Sequence, residues 1–313
     1  MKKNMIVSIF MLLSLTIFGN SKIKVIAPAG APMMTLLKTM DENEGMLNKD
    51  IEYEILNASD VLASKIISKE ADIAIVPSNL ASNLYNRGID IRLVSTSVWG
   101  VLYLVSRNDS IKTWDDLRGK EIVSIGRNLT PDAILQYLIK ANGLEVGKDI
   151  KVNYINSAPE LAQLFLAGKI DTAIIPEPIL SSVLMKEKET NIIFNIQDEW
   201  EKASKAAIPQ AVMIVQADLV ENDREFLDKF VESYKNSIEW VNANPNKAGE
   251  ISSKFNKKNQ GEIIASSISR SNLMFKSAKD SKKDLEEYYE VLLKFNPKLI
   301  GGKLPDDKFY YEK

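Results

Sequence analysis

Few residues in this chain combine a reactive or binding side chain with a position at the end of an apolar run, and Arg127 is the first. It sits in Gly126-Arg-Asn-Leu-Thr-Pro131, between a strand-like run and a helix-like one. A guanidinium beside the free N–H groups of a helix start suits a sulfonate, carboxylate or nitrate, because both present positive field to one place. Asn128 and Thr130 add an amide and a hydroxyl, with Thr130 placed to cap ahead of Pro131. Asp132, in the first turn, takes up part of that same field. Glu177, between Pro176 and Pro178, offers a carboxylate that would accept an ammonium or amide N–H of a ligand, or close a hydrogen bond across the hinge. Trp99, beside Gly100 at a break between two strands, is a candidate stacking wall and equally a candidate core residue.

Composition removes most catalytic chemistry. The chain has no His and no Cys. Ser-His-Asp triads, His general bases, thiolate nucleophiles, disulfides and the usual zinc sites are therefore unavailable. No spaced carboxylates of the calcium-loop kind occur, so neither metal nor cofactor is expected. With Lys2 and Lys3 set aside as part of a leader, 38 basic residues face 42 acidic ones, a net of −4. A mildly acidic balance of this kind argues against nucleic acid as a partner.

The elements that must position these groups come as a duplication. Ile23 to Asn79 and Ile122 to Pro178 share 15 identities in 57 positions when laid together without a gap. Chance would supply about three or four at a match rate of roughly 6%. Pro32/Pro131, Asn57/Asn156, Asp72/Asp171 and Pro77/Pro176 hold one register from end to end, as an internal repeat does. Each copy reads as β-α-β-α-β, with a Pro at the helix start where its missing N–H is harmless. Short apolar third strands, Asp72 to Pro77 and Asp171 to Pro176, suit a parallel sheet buried on both faces.

Ligands of open α/β sheets lie beyond the carboxyl ends of the strands. The expected ligand edge therefore comprises Ala29, Gly30 and Ala31 after the first strand, Asn57 after the second, and Ser78 and Asn79 after the third. Ser97 and Trp99 follow at the next strand's end. In the second copy the edge continues with Arg127, Asn128, Thr130, Asn156, Ser157 and Glu177. Several have a plain structural alternative: Ser78 and Asn79 as caps, and Ser157 as the head of a Ser-Ala-Pro-Glu160 capping box. Ala211 to Gln216 is expected to return the chain to the first lobe and pair with Val101 to Ser106 as a two-strand hinge. Lobe I would hold residues 22–105 and 212–313, and lobe II residues 106–211. Later helices are expected at Pro245 to Phe255, Gln260 to Ser269 and Lys283 to Lys294.

Met1-Lys-Lys-Asn followed by an apolar run from Met5 to Phe18 reads as a cleaved secretion signal over residues 1–21, with Gly19 and Ser21 ahead of the cut. About twenty apolar residues would be needed to span a bilayer. Without a Cys there is no lipid anchor, which points to a periplasm enclosed by an outer membrane. The remaining chain, about 290 residues, suffices for two lobes with real cores.

Thr113-Trp-Asp-Asp-Leu-Arg-Gly-Lys120 resembles the entry to the second lobe of periplasmic solute-binding proteins that serve ABC importers. Leu161 to Pro178, with its Ala-Gly-Lys-Ile-Asp and closing Glu-Pro, is similar to the nitrate/taurine/alkanesulfonate type of that family. With Asp72 to Asn79 and the helix from Arg127 to Gly143, the likeness extends to about Gln216. The resemblance implies an α/β, two-lobed fold of the type II periplasmic binding kind, each lobe a mixed sheet flanked by helices. It implies a non-enzymatic, monomeric receptor that hands a small organic solute to an inner-membrane permease and its ATPase. Lack of His weakens nitrate and bicarbonate as ligands. Arg127 favours a taurine- or alkanesulfonate-like anion; Glu177 and Trp99 favour a thiamine-type pyrimidine precursor or another aromatic heterocycle. Related pyrimidine-precursor and menaquinone-pathway enzymes make an enzyme the third reading.

Overall fold

The protein is described from a computed structural model that covers residues 22–42, 49–255 and 260–312. The expected signal segment lies outside the described residues. In the first copy, β1 (Lys22–Pro28), α1 (Ala31–Met34), α2 (Leu37–Glu42), β2 (Asp50–Leu56), α3 (Ser59–Ile67), β3 (Ile73–Pro77) and α4 (Ser78–Asn86) follow the expected order. Where the pattern of the copy expects one helix after β1, there are two. Thr35 and Leu36 bond to Pro32 and Met33 three residues back, and the Thr35 hydroxyl donates to the Pro32 carbonyl at 2.6 Å, which tightens the turn and ends α1. β4 (Ile91–Trp99) and β5 (Leu102–Ser106) lead to the second copy: β6 (Glu121–Ile125), α5 (Thr130–Ala141), β7 (Lys151–Ile155), α6 (Ala158–Leu166) and β8 (Thr172–Pro176).

Behind the second copy come α7 (Ile179–Lys186), β9 (Asn191–Asn195), α8 (Ile196–Ser204) and β10 (Pro209–Gln216). The carboxyl part adds α9 (Ala217–Asn222), α10 (Arg224–Ala243), α11 (Pro245–Phe255), α12 (Gly261–Ser267), β11 (Leu273–Ser277) and α13 (Ala278–Phe295). β11 was not expected; its five residues carry too little alternation to announce a strand. It is an edge strand, held because β4 offers it an open side.

Two mixed sheets result, β11-β4-β10-β3-β1-β2 and β7-β6-β8-β5-β9. Both place their first three strands in the order second, first, third, followed by an antiparallel strand supplied from outside the copy. The registers refine the repeat. Ile23 pairs with Ile51 and Ile26 with Ala74, whereas Ile122 pairs with Val152 and Val123 with Ala173. Both ladders put β6 two residues out of step with the gap-free alignment. The strands therefore end at Pro28 and Ile125, and the loop before the helix is residues 29–30 in one copy but 126–129 in the other. Two extra residues fall in the loop that carries Arg127. A slip of two leaves every side chain on its original face, so the apolar pattern cannot betray it.

The expected ladder between residues 211–216 and 101–106 does not form. β10 lies between β3 and β4 in the first sheet, and β5 lies between β8 and β9 in the second. The two crossings meet one step earlier, where the Gly100 N–H donates to the Ile208 carbonyl at 3.0 Å. The chain thus changes sheets at Gly100–Val101, and the expected lobe boundary at 105/106 cuts through β5. Pairing each crossing strand with its own sheet buries both its edges, which a free two-strand ribbon would leave open.

One apolar cluster joins the halves. Trp200 of α8 is fully buried, with Tyr137 of α5 at 4.7 Å and Tyr288 of α13 at 5.8 Å between ring centroids. α13, expected to belong to lobe I, therefore also reaches α5 of the second copy. Among the described residues, no helix is long and apolar enough to cross a membrane.

Candidate functional site

The carboxyl-end loops of the two sheets come face to face. Gly30 has φ +95°, a conformation that favours glycine, and a Cβ placed on it would lie 3.6 Å from Cδ of Pro178. Gly30 follows β1 of the first sheet and Pro178 follows β8 of the second, so the edges expected to share a ligand do meet. Ala29 is exposed and Ala31 buried; the Ala29 N–H is already donated to the Leu56 carbonyl at 3.1 Å. Since α1 is a single four-residue turn, its backbone dipole is small compared with that of the twelve-residue α5.

The Arg127 loop is built around Asp132 rather than Thr130. Asp132 is buried, and its carboxylate accepts from the Asn128 N–H at 2.8 Å, the Tyr154 hydroxyl at 2.7 Å and the Gln136 amide at 2.8 Å. Thr130 is the first residue of α5 and makes no capping bond; Asp132 instead reaches back to the Asn128 N–H and holds the loop ahead of the helix. Asn128 takes φ +60°, and its carbonyl accepts from Asn296 at 3.2 Å. Arg127 is left exposed, its guanidinium carbon 5.7 Å from the Tyr154 ring centroid, and among the described residues it has no carboxylate partner. Burial and the bond to Asp132 push the Tyr154 hydroxyl up to about 12, so it remains a donor at neutral pH. Leu129 completes the loop with its side chain in solvent.

Three candidates are committed to the protein itself. The Ser78 hydroxyl donates to the Pro209 carbonyl at 2.5 Å while its own carbonyl accepts from Tyr289, and it is buried. Trp99 is buried, its indole N–H donating to the Met274 carbonyl at 2.8 Å, with the Lys276 ammonium 4.4 Å from its ring centroid. That cation occupies a face a stacked ligand would need. Glu177 is buried against Arg270, Nε to Oε1 at 2.5 Å, and accepts from the Ser181 N–H at 2.9 Å and hydroxyl at 3.0 Å. Burial pushes the Glu177 carboxyl up despite those donors. Ser97 is fully buried in β4 beside the Tyr234 hydroxyl.

Other candidates remain free. Asn57 and Asn156, at the carboxyl ends of β2 and β7, are exposed, and Asn79 is half-buried in the first turn of α4. Their side-chain amides have no partner among the described residues. Ser157 caps α6, accepting from the Glu160 N–H at 3.4 Å, as the capping box predicts. No group of three or more His, Cys, Asp or Glu among the described residues could hold a metal ion.

Residues 86–248, just over half of the 313-residue chain, match the family described as NMT1/THI5 like. The chain belongs to the NMT1/THI5-like family. No curated protein matches the sequence. Among solved structures, one described as an ABC transporter from Parabacteroides distasonis is 26% identical, with a TM-score of 0.83 over 94% of this chain and 99% of that one. The periplasmic aliphatic sulphonate binding protein SsuA from Escherichia coli shares the fold at 15% identity and a TM-score of 0.70, over 94% and 93%. The desulfurization enzyme DSZB shares it at 13% and 0.60, over 88% and 92%. The architecture is thus the type II periplasmic binding fold, on which both binding proteins and an enzyme occur.

Sequence reasoning missed the parts of this NMT1/THI5-like protein that tie its halves together. Gln197, at the start of α8, accepts with one Oε1 from both crossing strands, the Gly100 and Ile208 N–H groups, each at 3.0 Å. Asn272 donates to the Gly100 carbonyl at 2.6 Å, and its carbonyl accepts from the Trp99 N–H at 3.1 Å. Nothing local marks these residues. Gly100 gave the one available signal, a Gly beside Trp at a strand break.

Proposed function

We propose that this protein is the solute-binding component of an ABC importer, working in the periplasm, which takes a small organic anion of the taurine or alkanesulfonate class between its lobes. The observation that carries the reading is the meeting of the two carboxyl-end edges at Gly30 and Pro178. Arg127 and the amides of Asn57, Asn79 and Asn156 lie in the loops and helix starts that follow the strands of those same edges, none of them paired with a carboxylate or another side chain's hydrogen-bonding group among the described residues. Capture follows from the chemistry: the guanidinium and α5 start receive the anionic head, the amides bond its oxygens, and Leu129 and the Tyr154 ring flank the rest. Binding energy that depends on touching both halves favours the closed arrangement. The permease and its ATPase would then receive the closed form. Trp99 and Glu177, the two residues that would favour an aromatic heterocycle, are already engaged inside the protein, which puts the pyrimidine-precursor reading second. An enzyme stands third: the site offers no His or Cys, and its two buried carboxylates, Asp132 and Glu177, are both bonded inside the protein.

The test is native mass spectrometry of the purified protein for a co-purified solute, followed by calorimetric titration with taurine, methanesulfonate and an aminopyrimidine. Arg127→Met should weaken sulfonate binding by roughly ten- to a hundred-fold, the value of a charge-assisted hydrogen bond, with the melting temperature unchanged. Binding of the aminopyrimidine alone, undiminished by that substitution, would remove the anion reading. Turnover of any of the three would remove the receptor reading.

A further inference from the structure

Beyond the two covalent crossings and the apolar cluster around Trp200, a polar connection runs between the lobes from the turn Ile268–Arg270 and the residues just after it. Arg270 belongs to the first lobe, packed under α12, while Glu177 and Ser181 belong to the second. The Arg270 Nη2 donates to the Ser181 hydroxyl at 2.6 Å and to the Ser266 carbonyl at 2.9 Å, so one guanidinium is bonded to both lobes at once. Its backbone carbonyl accepts from the Tyr103 hydroxyl of β5 at 2.8 Å. The carboxylate it holds has a side chain with 0% exposure, and the Glu177 N–H donates to the Val101 carbonyl at 3.0 Å, at the first crossing.

Resting on the receptor reading, we propose that Arg270 is a positioning residue for ligand capture: through Glu177 it fixes the Pro176–Pro178 turn against Gly30 and so sets the resting separation of the two ligand edges. The geometry fits this role better than that of a simple stabiliser. Glu177 directly precedes Pro178, whose Cδ would lie 3.6 Å from a Cβ placed on Gly30. An ion pair placed beside the crossings moves little when the lobes rock, yet a small rotation there is magnified at the loop tips. A buried charge pair adds little net stability over apolar replacements, whereas its directional bonds fix one orientation.

The absence of native cysteines allows a direct measurement. Spin labels on Asp60→Cys and Glu160→Cys, both exposed and in the first turns of α3 and α6, report the interlobe distance in ligand-free protein. Arg270→Met should broaden the distance distribution and shift its mean, and lower the melting temperature. In the Glu177→Gln/Arg270→Met double variant no buried charge is stranded, so the melting temperature should recover while the distribution stays broad. A double variant with the wild-type distribution would overturn the proposal, because the pair would then act on stability alone. Broadening that always tracks lost stability would overturn it too. Should the receptor reading fail instead, no solute would be found bound while the distance changes persisted.

Discussion

Gly100→Ala tests the hinge most sharply, because the structure leaves no room for one methyl group. Its Cβ would lie 2.5 Å from Oε1 of Gln197, 3.2 Å from Cβ of the same residue and 3.3 Å from Cδ1 of Ile208. Gln197 must swing away, and in doing so it abandons the Gly100 and Ile208 N–H groups. Gly100 keeps the Ile208 carbonyl, but the Ile208 N–H is left buried without an acceptor, at a cost of about 1–3 kcal/mol. Forcing Gln197 off its preferred rotamer adds about 0.5–1.5 kcal/mol. The expected loss is about 2–4 kcal/mol, measured by equilibrium urea unfolding followed by circular dichroism. Gln197→Ala strands the same N–H group by another route and also clears space for the new methyl. In the Gly100→Ala/Gln197→Ala protein the two losses should therefore fall short of their sum by about 1 kcal/mol or more. A Gly100→Ala loss below about 0.5 kcal/mol, the scale of a neutral surface change, or strict additivity, would refute the account of the crossing.

Trp99→Phe should cost about 1 kcal/mol for the lost bond to the Met274 carbonyl, and Trp99→Ala about 3–5 kcal/mol as a core truncation; sulfonate affinity measured by calorimetry on the Phe variant should stay within error, and a large drop would return Trp99 to the pocket. Tyr154 has a folded value of about 12 against roughly 10 when unfolded, so its contribution is intact below pH 10 and fades as pH rises toward 12. Tyr154→Phe should flatten the fall in melting temperature over that window, and an unchanged slope would count against the bond to Asp132. For Asp132→Ala, three donors lose their acceptor; the amides of residues 127–129 should exchange hydrogen faster by about ten-fold or more, and unchanged protection would show that the loop is held by something else.

How much of this was legible beforehand differs by element. The two β-α-β-α-β copies, the Ser157 cap and the burial of the third strands follow from local rules, since period, Pro placement and capping each act within a few residues. The Asn-ended strands likewise put Asn57 and Asn156 at one edge of each sheet without any tertiary knowledge. The two-residue lengthening of the Arg127 loop escaped notice because strands repeat every two residues, and a slip of two leaves the hydrophobic pattern intact.

What the chain's own order of residues determined was therefore the pair of halves, their loops' direction and the absence of His and Cys chemistry. Tertiary structure alone decided which polar groups are spent and which stay available. Glu177 and Arg270 are 93 residues apart, and Trp99 and Met274 are 175 apart. Nothing in either neighbourhood encodes the other, since a buried carboxylate or indole takes whichever partner the packing brings within hydrogen-bonding reach. Arg127 has no carboxylate partner among the described residues for the complementary reason: the buried carboxylate in its loop, Asp132, already has three other donors.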